Sequence, residues 1–471
     1  MILSGKKIAV LGVGEAGRAA ARWLNAHGVS VICCDMLGLD EWPDDFLSWC
    51  EQKGVEVCTE EALSDADVAA CDLAVASPGI PPKGKAVSRF RENGVAVIGE
   101  LALAISFWKG RLVGITGTNG KTTTTALTSH ILNRASVPNV RAGNISPPLF
   151  DLMGRGDSED RTAVLEVSSF QLEYFPDPWP KWLKRPRFAA AVFLNLAPDH
   201  LDRHGSVDEY GRCKARMFYF QEKDDLAVLG PGLDGVIAGA VAEPFFLSPA
   251  KEGESGAFWD MKRDILELRR CGRLSETYDV SGWKLMGRHN MENLAAAAAS
   301  ARAAGAAPDA VQAGLETFQA PPYRLQKSRR QNGITFINDS KATNAAALIA
   351  ALGALEGDII LIAGGRSKGE DFIQLADFLK RRNGRGRVTD AVLIGEEADE
   401  LRRVLRPFVN TCQIAAGSDG IETMERAVKL AVSLGRPGST VLLSPACASF
   451  DMFSSYKERG EIFDRVVRGL K

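Results

Sequence analysis

The stretch GITGTNGKTTT, Gly114–Thr124, decides how this chain reads. It follows an apolar run, RLVGITG, and leads into a helix-like segment that starts at Lys121. Strand, glycine turn and helix in that order are the setting of a phosphate loop, with a plain glycine turn and a solvated lysine as the alternative. Backbone N–H groups converge on phosphate oxygens, a lysine adds charge, and a hydroxyl meets Mg2+. The general spacing is a glycine, four residues, then Gly-Lys-Ser/Thr. Gly120-Lys121-Thr122 supplies the end, but Ile115 stands where the first glycine belongs. Gly117 is the nearest substitute, so the loop is shortened.

Outward from the loop, the chain falls into three blocks, each alternating apolar strands with helical segments: 1–108, 109–320 and 321–471. That pattern predicts an α/β protein of three domains, each built on a mostly parallel sheet with flanking helices. The first and last read as Rossmann-like and the central one as a phosphate-loop type. Pro321 and Pro322 in FQAPPYR end a helix and mark the second junction. EGESGAFWDMKRD (252–264) and RRNGRGR (381–387) read as exposed loops.

The totals narrow the function classes. At 471 residues the chain exceeds one hydrophobic core. A net charge of −2 argues against a general nucleic-acid surface. No apolar run reaches membrane-spanning length, and the start, MILSGKKIAVLG, lacks a signal-peptide layout. Nine cysteines without a C-x-x-C pair read as free thiols of a cytoplasmic protein, and no cysteine–histidine cluster has zinc spacing.

Other strand ends carry polar residues. Gly12, Gly14 and Gly17 spell G-x-G-x-x-G after a strand, and Asp35 ends the next one. Nucleotide binding and plain tight βα packing both account for that. SPGI, Ser77–Ile80, closes a further strand. Glu166, at the end of TAVLE, is placed to hold Mg2+ or to be structural. NLAPDHLDRHG offers an Asp199–His200 pair as a metal or phosphate site, or as a loop network. Lys214, in DEYGRCKARMF, reads from its surroundings as a solvated helix lysine. His289, Asn290 and Asn293 open an alanine-rich helix as simple caps.

Taken in order, GTNGKTTT, EVSSFQLE, NLAPDHLDRH, HNMEN, DSKATN and SPACASFDMF resemble the Mur ligase superfamily. Its phosphate loop is written G-x-x-G-K-[ST], which Gly117–Thr122 fits. DSKATN and SPACASFD resemble its D-glutamate-adding branch. Two stretches depart from the pattern: FPDPWPKWLKRPRF (175–188) is long and rich in tryptophan and proline, with a surface loop as its default, and Ser146 stands where glycine is expected beside Asn144.

The resemblance implies ATP-dependent ligation of D-glutamate to UDP-N-acetylmuramoyl-L-alanine through an acyl phosphate, by a cytoplasmic monomer that uses ATP and two Mg2+ ions. It implies an ATP site from Gly117, Thr118, Asn119, Gly120, Lys121, Thr122 and Thr123, with Asn290, Asn293, Arg324 and Asp339 on the nucleoside side. Thr122 and Glu166 would hold one metal, and His200 with a carbamylated Lys214 the second; Lys121, Glu166, His200 and Lys214 would be catalytic. Gly14, Glu15, Asp35, Met36, Ser77, Pro78, Gly79, Asn144 and Ser168 would meet the UDP substrate. Lys341, Thr343, Lys368, Ser449, Phe450 and Tyr456 would meet D-glutamate. A nicotinamide dehydrogenase, from the first block alone, and a phosphate-loop kinase or ATPase, from the second, both leave DSKATN and SPACASFD unexplained. Another amino-acid-adding ligase of the same superfamily is the nearer alternative.

Overall fold

Three separate sheets organise the molecule. The computed structural model describes residues 3–153, 161–176, 178–237, 241–247, 255–260, 262–270, 275–283, 285, 287–367, 372–381 and 387–470.

The first sheet comprises β1 (Lys7–Leu11), β2 (Ser30–Asp35), β3 (Glu56–Thr59), β4 (Leu73–Ala76) and β5 (Val97–Gly99), all parallel, in the order β3-β2-β1-β4-β5. Chain order reverses between β1 and β4, and an open sheet leaves a crevice at such a switch point. Gly12 and Ser77 follow those two strands.

The second sheet has nine strands: β6 (Leu112–Thr116), β7 (Asn139–Gly143), β8 (Thr162–Glu166), β9 (Phe188–Phe193), β10 (Leu226–Leu229), β11 (Glu243–Phe246), β12 (Gly256–Asp260), β13 (Ile265–Arg269) and β14 (Glu276–Asp279). Their order is β14-β13-β12-β11-β10-β9-β6-β8-β7, with only the β12–β13 and β13–β14 pairs antiparallel. β6 is buried along its whole length, between β8 and β9. Its Gly114 leaves room for neighbours, since a Cβ there would lie 2.3 Å from Met217 Sδ. The Lys121–Arg134 helix packs on the Arg288–Ala303 helix, whose run Ala295–Ala299 is fully buried. Alanines let the two helix backbones approach closely.

The third sheet holds β15 (Gln326–Gln331), β16 (Ile334–Asn338), β17 (Asp358–Gly364), β18 (Arg387–Ile394), β19 (Thr411–Ile414) and β20 (Thr440–Leu443), in the order β15-β16-β20-β17-β18-β19. Only β15 runs antiparallel to its neighbour.

Two expectations need correction. The segment 252–264 is not a loop throughout: Gly256–Asp260 is β12, paired with β13, and Ala257 is buried in a core with Phe245, Leu266 and Leu294. Its glycines and charges hid a strand that the β13 partner stabilises. Nor is 175–188 a plain surface loop. Phe175 and Leu183 are buried, Phe175 and Trp179 meet Phe220 edge-on, and Trp182 lies 5.5 Å under the Lys6 ammonium of the first unit. The expected loop at 381–387 falls almost wholly outside the described residues.

Candidate active site

The phosphate loop is a rigid cradle. Gly117 and Gly120 hold φ of 145° and 88°, where side-chain-bearing residues are strained. A Cβ on Gly120 would also lie 2.3 Å from Asn293 Oδ1. The strand-end residue Asn195 pins the loop from below: its carbonyl accepts from Thr118 N (2.9 Å) and its Oδ1 from Asn119 N (2.9 Å). Lys121 Nζ donates to the carbonyls of Gly117 (2.8 Å) and Thr118 (2.9 Å), and so spans its own loop. Thr122 stands partly exposed in the helix's first turn, with Thr123 buried behind it.

Beside the cradle sits Glu166, buried at the end of β8. Its Oε1 accepts from Asn144 Nδ2 at 3.3 Å, whereas its Oε2 is buried without a hydrogen-bond partner. Leaving such an oxygen unpaired costs about 1–3 kcal/mol. A cation removes that penalty. The donors fit Mg2+, which takes few protein oxygens and keeps water and phosphate as its other ligands. Among the described residues no group of three His, Cys, Asp or Glu side chains is placed to hold a metal ion.

Lys214 overturns its solvated-lysine reading. The Val207–Ala215 helix turns it inward until it is 1% exposed. Nζ donates to the Gly117 carbonyl at 3.0 Å and lies 4.4 Å over the Tyr210 ring. Burial, then the charge of Lys121, push its pKa well below the usual lysine range. His200 has a left-handed φ of 54° at the start of the short Leu201–His204 helix. Its Nε2 is 3.6 Å from Asp199 Oδ1, and its ring meets Phe170 edge-on.

The third unit docks directly on this cluster. Asn344 and Asn119 exchange side-chain amide bonds of 3.2 Å each way, and Asn344 Nδ2 also donates to Asp199 Oδ2 at 3.1 Å. A cavity of about 240 Å3 opens between the units, lined by Asn119, Gly120, Asn290, Asn293, Arg324 and Asp339. The residues expected on the nucleoside side thus line one cavity, Asn290 and Asn293 from the second unit and Arg324 and Asp339 from the third. Burial lifts Asp339 to about 7, although Ser444 Oγ (2.9 Å) and Leu325 N (3.1 Å) donate to it. Lys341, expected with D-glutamate, lines this cavity too, 3.7 Å from the centre of the Tyr456 ring. Thr343 is half-buried, Ser449 buried and Phe450 66% exposed. Lys368 lies outside the described residues.

The first unit's candidates gather at its switch point but are largely engaged with one another. Asp35 accepts from Val13 N (2.7 Å) and Leu37 N (3.1 Å), and Ser77 Oγ donates to Gly12 O (2.8 Å). Gly14 caps the Glu15–Ala26 helix, Met36 is 67% exposed, and Pro78 and Gly79 follow Ser77. Ser146 donates to Glu15 Oε1 at 2.6 Å, so the departure from glycine ties the first unit to the second. Ser168 caps the Ser169–Leu172 helix by accepting from Gln171 N at 3.3 Å.

Sequence reasoning missed Arg459, which is fully buried and donates to Ser340 Oγ and to the carbonyls of Ser340, Cys447 and Ala448. It ties DSKATN to SPACASF. An arginine inside a helix otherwise reads as solvated, so no local signal marks it.

Three family models match in chain order: "Mur ligase MurD-like, N-terminal domain" over residues 6–99, "Mur ligase middle domain" over 115–301, and "Mur ligase, glutamate ligase domain" over 323–447. The chain is 37% identical to the UDP-N-acetylmuramoylalanine--D-glutamate ligase of Geobacter metallireducens, covering 100% of this chain and 99% of that one. It is also 37% identical to the protein of that name from Pelotomaculum thermopropionicum, covering 99% and 98%. The solved pseudomurein peptide ligase type C of Methanothermus fervidus shares the fold, with a TM-score of 0.57 at 20% identity over 98% of this chain and 100% of that one. The dehydrogenase and simple kinase readings fall with these matches.

Proposed function

The chain belongs to the Mur ligase family, and from that membership we propose that it joins D-glutamate to UDP-N-acetylmuramoyl-L-alanine at the expense of ATP. The observation that carries this reading is the docking of Asn344, from the DSKATN segment, on both Asn119 of the phosphate loop and Asp199. It brings the DSKATN segment of the third unit against the phosphate loop. Domain boundaries near 108/109 and 320/321 fit the separate sheets.

The chemistry follows from the leaving group. A free carboxylate would have to expel oxide, so it is first phosphorylated. An oxygen of the L-alanyl carboxylate attacks the γ-phosphorus of ATP, and ADP leaves. The amine of D-glutamate then adds to the acyl carbon, and the tetrahedral intermediate expels phosphate and loses a proton to give the amide. Catalysis is mainly positioning and charge neutralisation.

In this scheme the loop amides from Thr118 to Thr123 hold the phosphates, and Lys121 turns from its own carbonyls toward them. Thr122 and Glu166 would hold Mg2+, which would neutralise phosphate charge when bound. His200 and Lys214 would serve a second ion, with Lys214 as a carbamate. Support for the carbamate is its near-complete burial beside Lys121, where a neutral amine is favoured. Asn290, Asn293, Arg324 and Asp339 receive the nucleoside. Gly14, Glu15, Asp35, Met36, Ser77, Pro78, Gly79, Asn144 and Ser168 receive the UDP substrate. Thr343, Lys368, Ser449, Phe450 and Tyr456 receive D-glutamate, with Lys341 between the two groups. We take the enzyme to act as a monomer. No helix among the described residues is long and apolar enough to cross a membrane, and we place the enzyme in the cytoplasm with its nucleotide substrates.

Phosphate release with UDP-N-acetylmuramoyl-L-alanine and a panel of amino acids tests the proposal. D-Glutamate alone should support turnover, with one amide formed per phosphate. Turnover with a different amino acid would assign another branch of the family, and release without any amine would indicate an ATPase.

A further inference from the structure

Arg203 belongs to no group assigned above, yet it bridges the second unit to the Ser77–Ile80 loop of the first. It sits on the single-turn helix Leu201–His204, directly after His200 in its strained backbone conformation. Its side chain is 12% exposed and pairs with Glu173, which is 13% exposed; Nε donates to Oε2 at 2.8 Å. The two Nη atoms cross to the first unit and donate to the carbonyls of Gly79 (3.3 Å) and Ile80 (2.9 Å). Tyr174 OH donates to the same Ile80 carbonyl at 2.8 Å. The guanidinium plane lies 4.0 Å over the Phe170 ring, and that ring meets His200 edge-on at 4.8 Å. On the other side, Glu173 Oε1 stands 3.3 Å from His204 Nδ1, and His204 Nε2 stands 3.0 Å from Ser169 Oγ.

One planar fork thus reads two backbone carbonyls of the Ser77–Ile80 loop and one carboxylate while stacking on a ring that braces His200. Only arginine offers that set of donors in fixed geometry. A left-handed non-glycine residue persists only where its surroundings over-determine it, and the ring and the paired helix residues supply that constraint. We propose that Arg203 is a positioning residue. It sets the distance between the loop that receives the UDP part of the substrate and the His200 end where its carboxylate reacts, acting through Ile80 on one side and Phe170 on the other. The inference rests on the functional reading above.

The test compares wild type, Arg203→Lys and Phe170→Leu, each checked for an unchanged melting temperature. Arg203→Lys keeps the charge but loses the fork and the stacking. It should raise the KM for UDP-N-acetylmuramoyl-L-alanine and lower kcat, with kcat/KM for that substrate down about ten- to a hundredfold. The KM values for ATP and D-glutamate should stay within about twofold. Phe170→Leu should lower kcat with a smaller rise in that KM. The double variant should be little worse than Arg203→Lys, because both act along one chain of contacts. A merely structural arginine would reduce the active fraction, lowering kcat with every KM unchanged, and that result overturns the proposal. Wild-type protein without D-glutamate-dependent turnover would overturn the functional reading instead. In that case calorimetric binding of UDP-N-acetylmuramoyl-L-alanine, without ATP, still judges Arg203: unchanged affinity in Arg203→Lys overturns it, and about tenfold weaker binding upholds it.

Discussion

Two glycine turns in this chain look alike on paper and differ in three dimensions. Gly12–Gly17 and Gly117–Gly120 each follow a buried strand and open a helix. In the first, the polar groups satisfy one another: Asp35 holds Val13 and Leu37 N–H, and Ser77 holds Gly12 O. A Cβ on Gly17 would lie 1.9 Å from Gly12 O, so that glycine is dictated by packing. In the second, charge is left incompletely satisfied: a buried carboxylate oxygen without a partner and a buried lysine beside another lysine. A glycine pattern reports a turn; unbalanced buried charge around it reports chemistry.

The sharpest break in the comparison is at the second turn. Lys121→Ala should lower kcat by roughly 100- to 1,000-fold or more, the range for removing a single preorganised donor to a developing charge. Lys214→Arg should be similarly inactive although it keeps the charge, because an arginine cannot form the carbamate. Steady-state phosphate release measures both, and a melting curve shows that the fold survives. Near-normal turnover in either variant would make this turn as structural as the first.

The first turn should answer differently. Asp35→Ala strands the Val13 and Leu37 N–H groups, so it should cost about 1–3 kcal/mol of stability. It should also raise the KM for UDP-N-acetylmuramoyl-L-alanine about tenfold, with kcat changed only a few-fold. Chemical denaturation and initial rates read the two effects separately. A collapse of kcat comparable to that of Lys121→Ala would erase the distinction.

The smallest effect on turnover concerns the seam between these units, where the change is in stability alone. Glu100 is buried against Gln171 Nε2 (3.2 Å), and burial lifts its pKa from 4.5 to about 7. The folded chain therefore keeps this proton up to about pH 7, while the unfolded chain loses it near 4.5. The unfolded state binds fewer protons in that window, so Glu100 lowers stability as pH rises through it. Glu100→Gln should be near neutral at pH 4 and stabilising by about 1–3 kcal/mol at pH 8. Thermal melts of both proteins at the two pH values check the sign.

How much of this could be read beforehand depended on whether a residue's role is local. Strand ends and glycine turns are local, so Lys121, Glu166 and Asp35 stand out as candidates from their own neighbourhoods. The β12 strand was not, because its glycines and charges form a strand only against β13. Lys214 and Arg459 look solvated in their own helices; packing of distant strands and loops buries them. Only the resemblance to a family makes Lys214 a candidate in the sequence. Arg203 sat inside a motif that was read, but its partners Ile80 and Glu173 lie far away in sequence. Long polar side chains are assigned by what they reach, and sequence spacing does not show that.

The most direct test follows one oxygen atom. UDP-N-acetylmuramoyl-L-alanine labelled with oxygen-18 in its alanyl carboxylate is turned over with ATP and D-glutamate, and the released phosphate is analysed by mass spectrometry. Activation at the phosphate loop predicts one labelled oxygen in each phosphate released, in step with amide formation. Phosphate without label, formed alongside the same amide, would contradict an acyl-phosphate ligase.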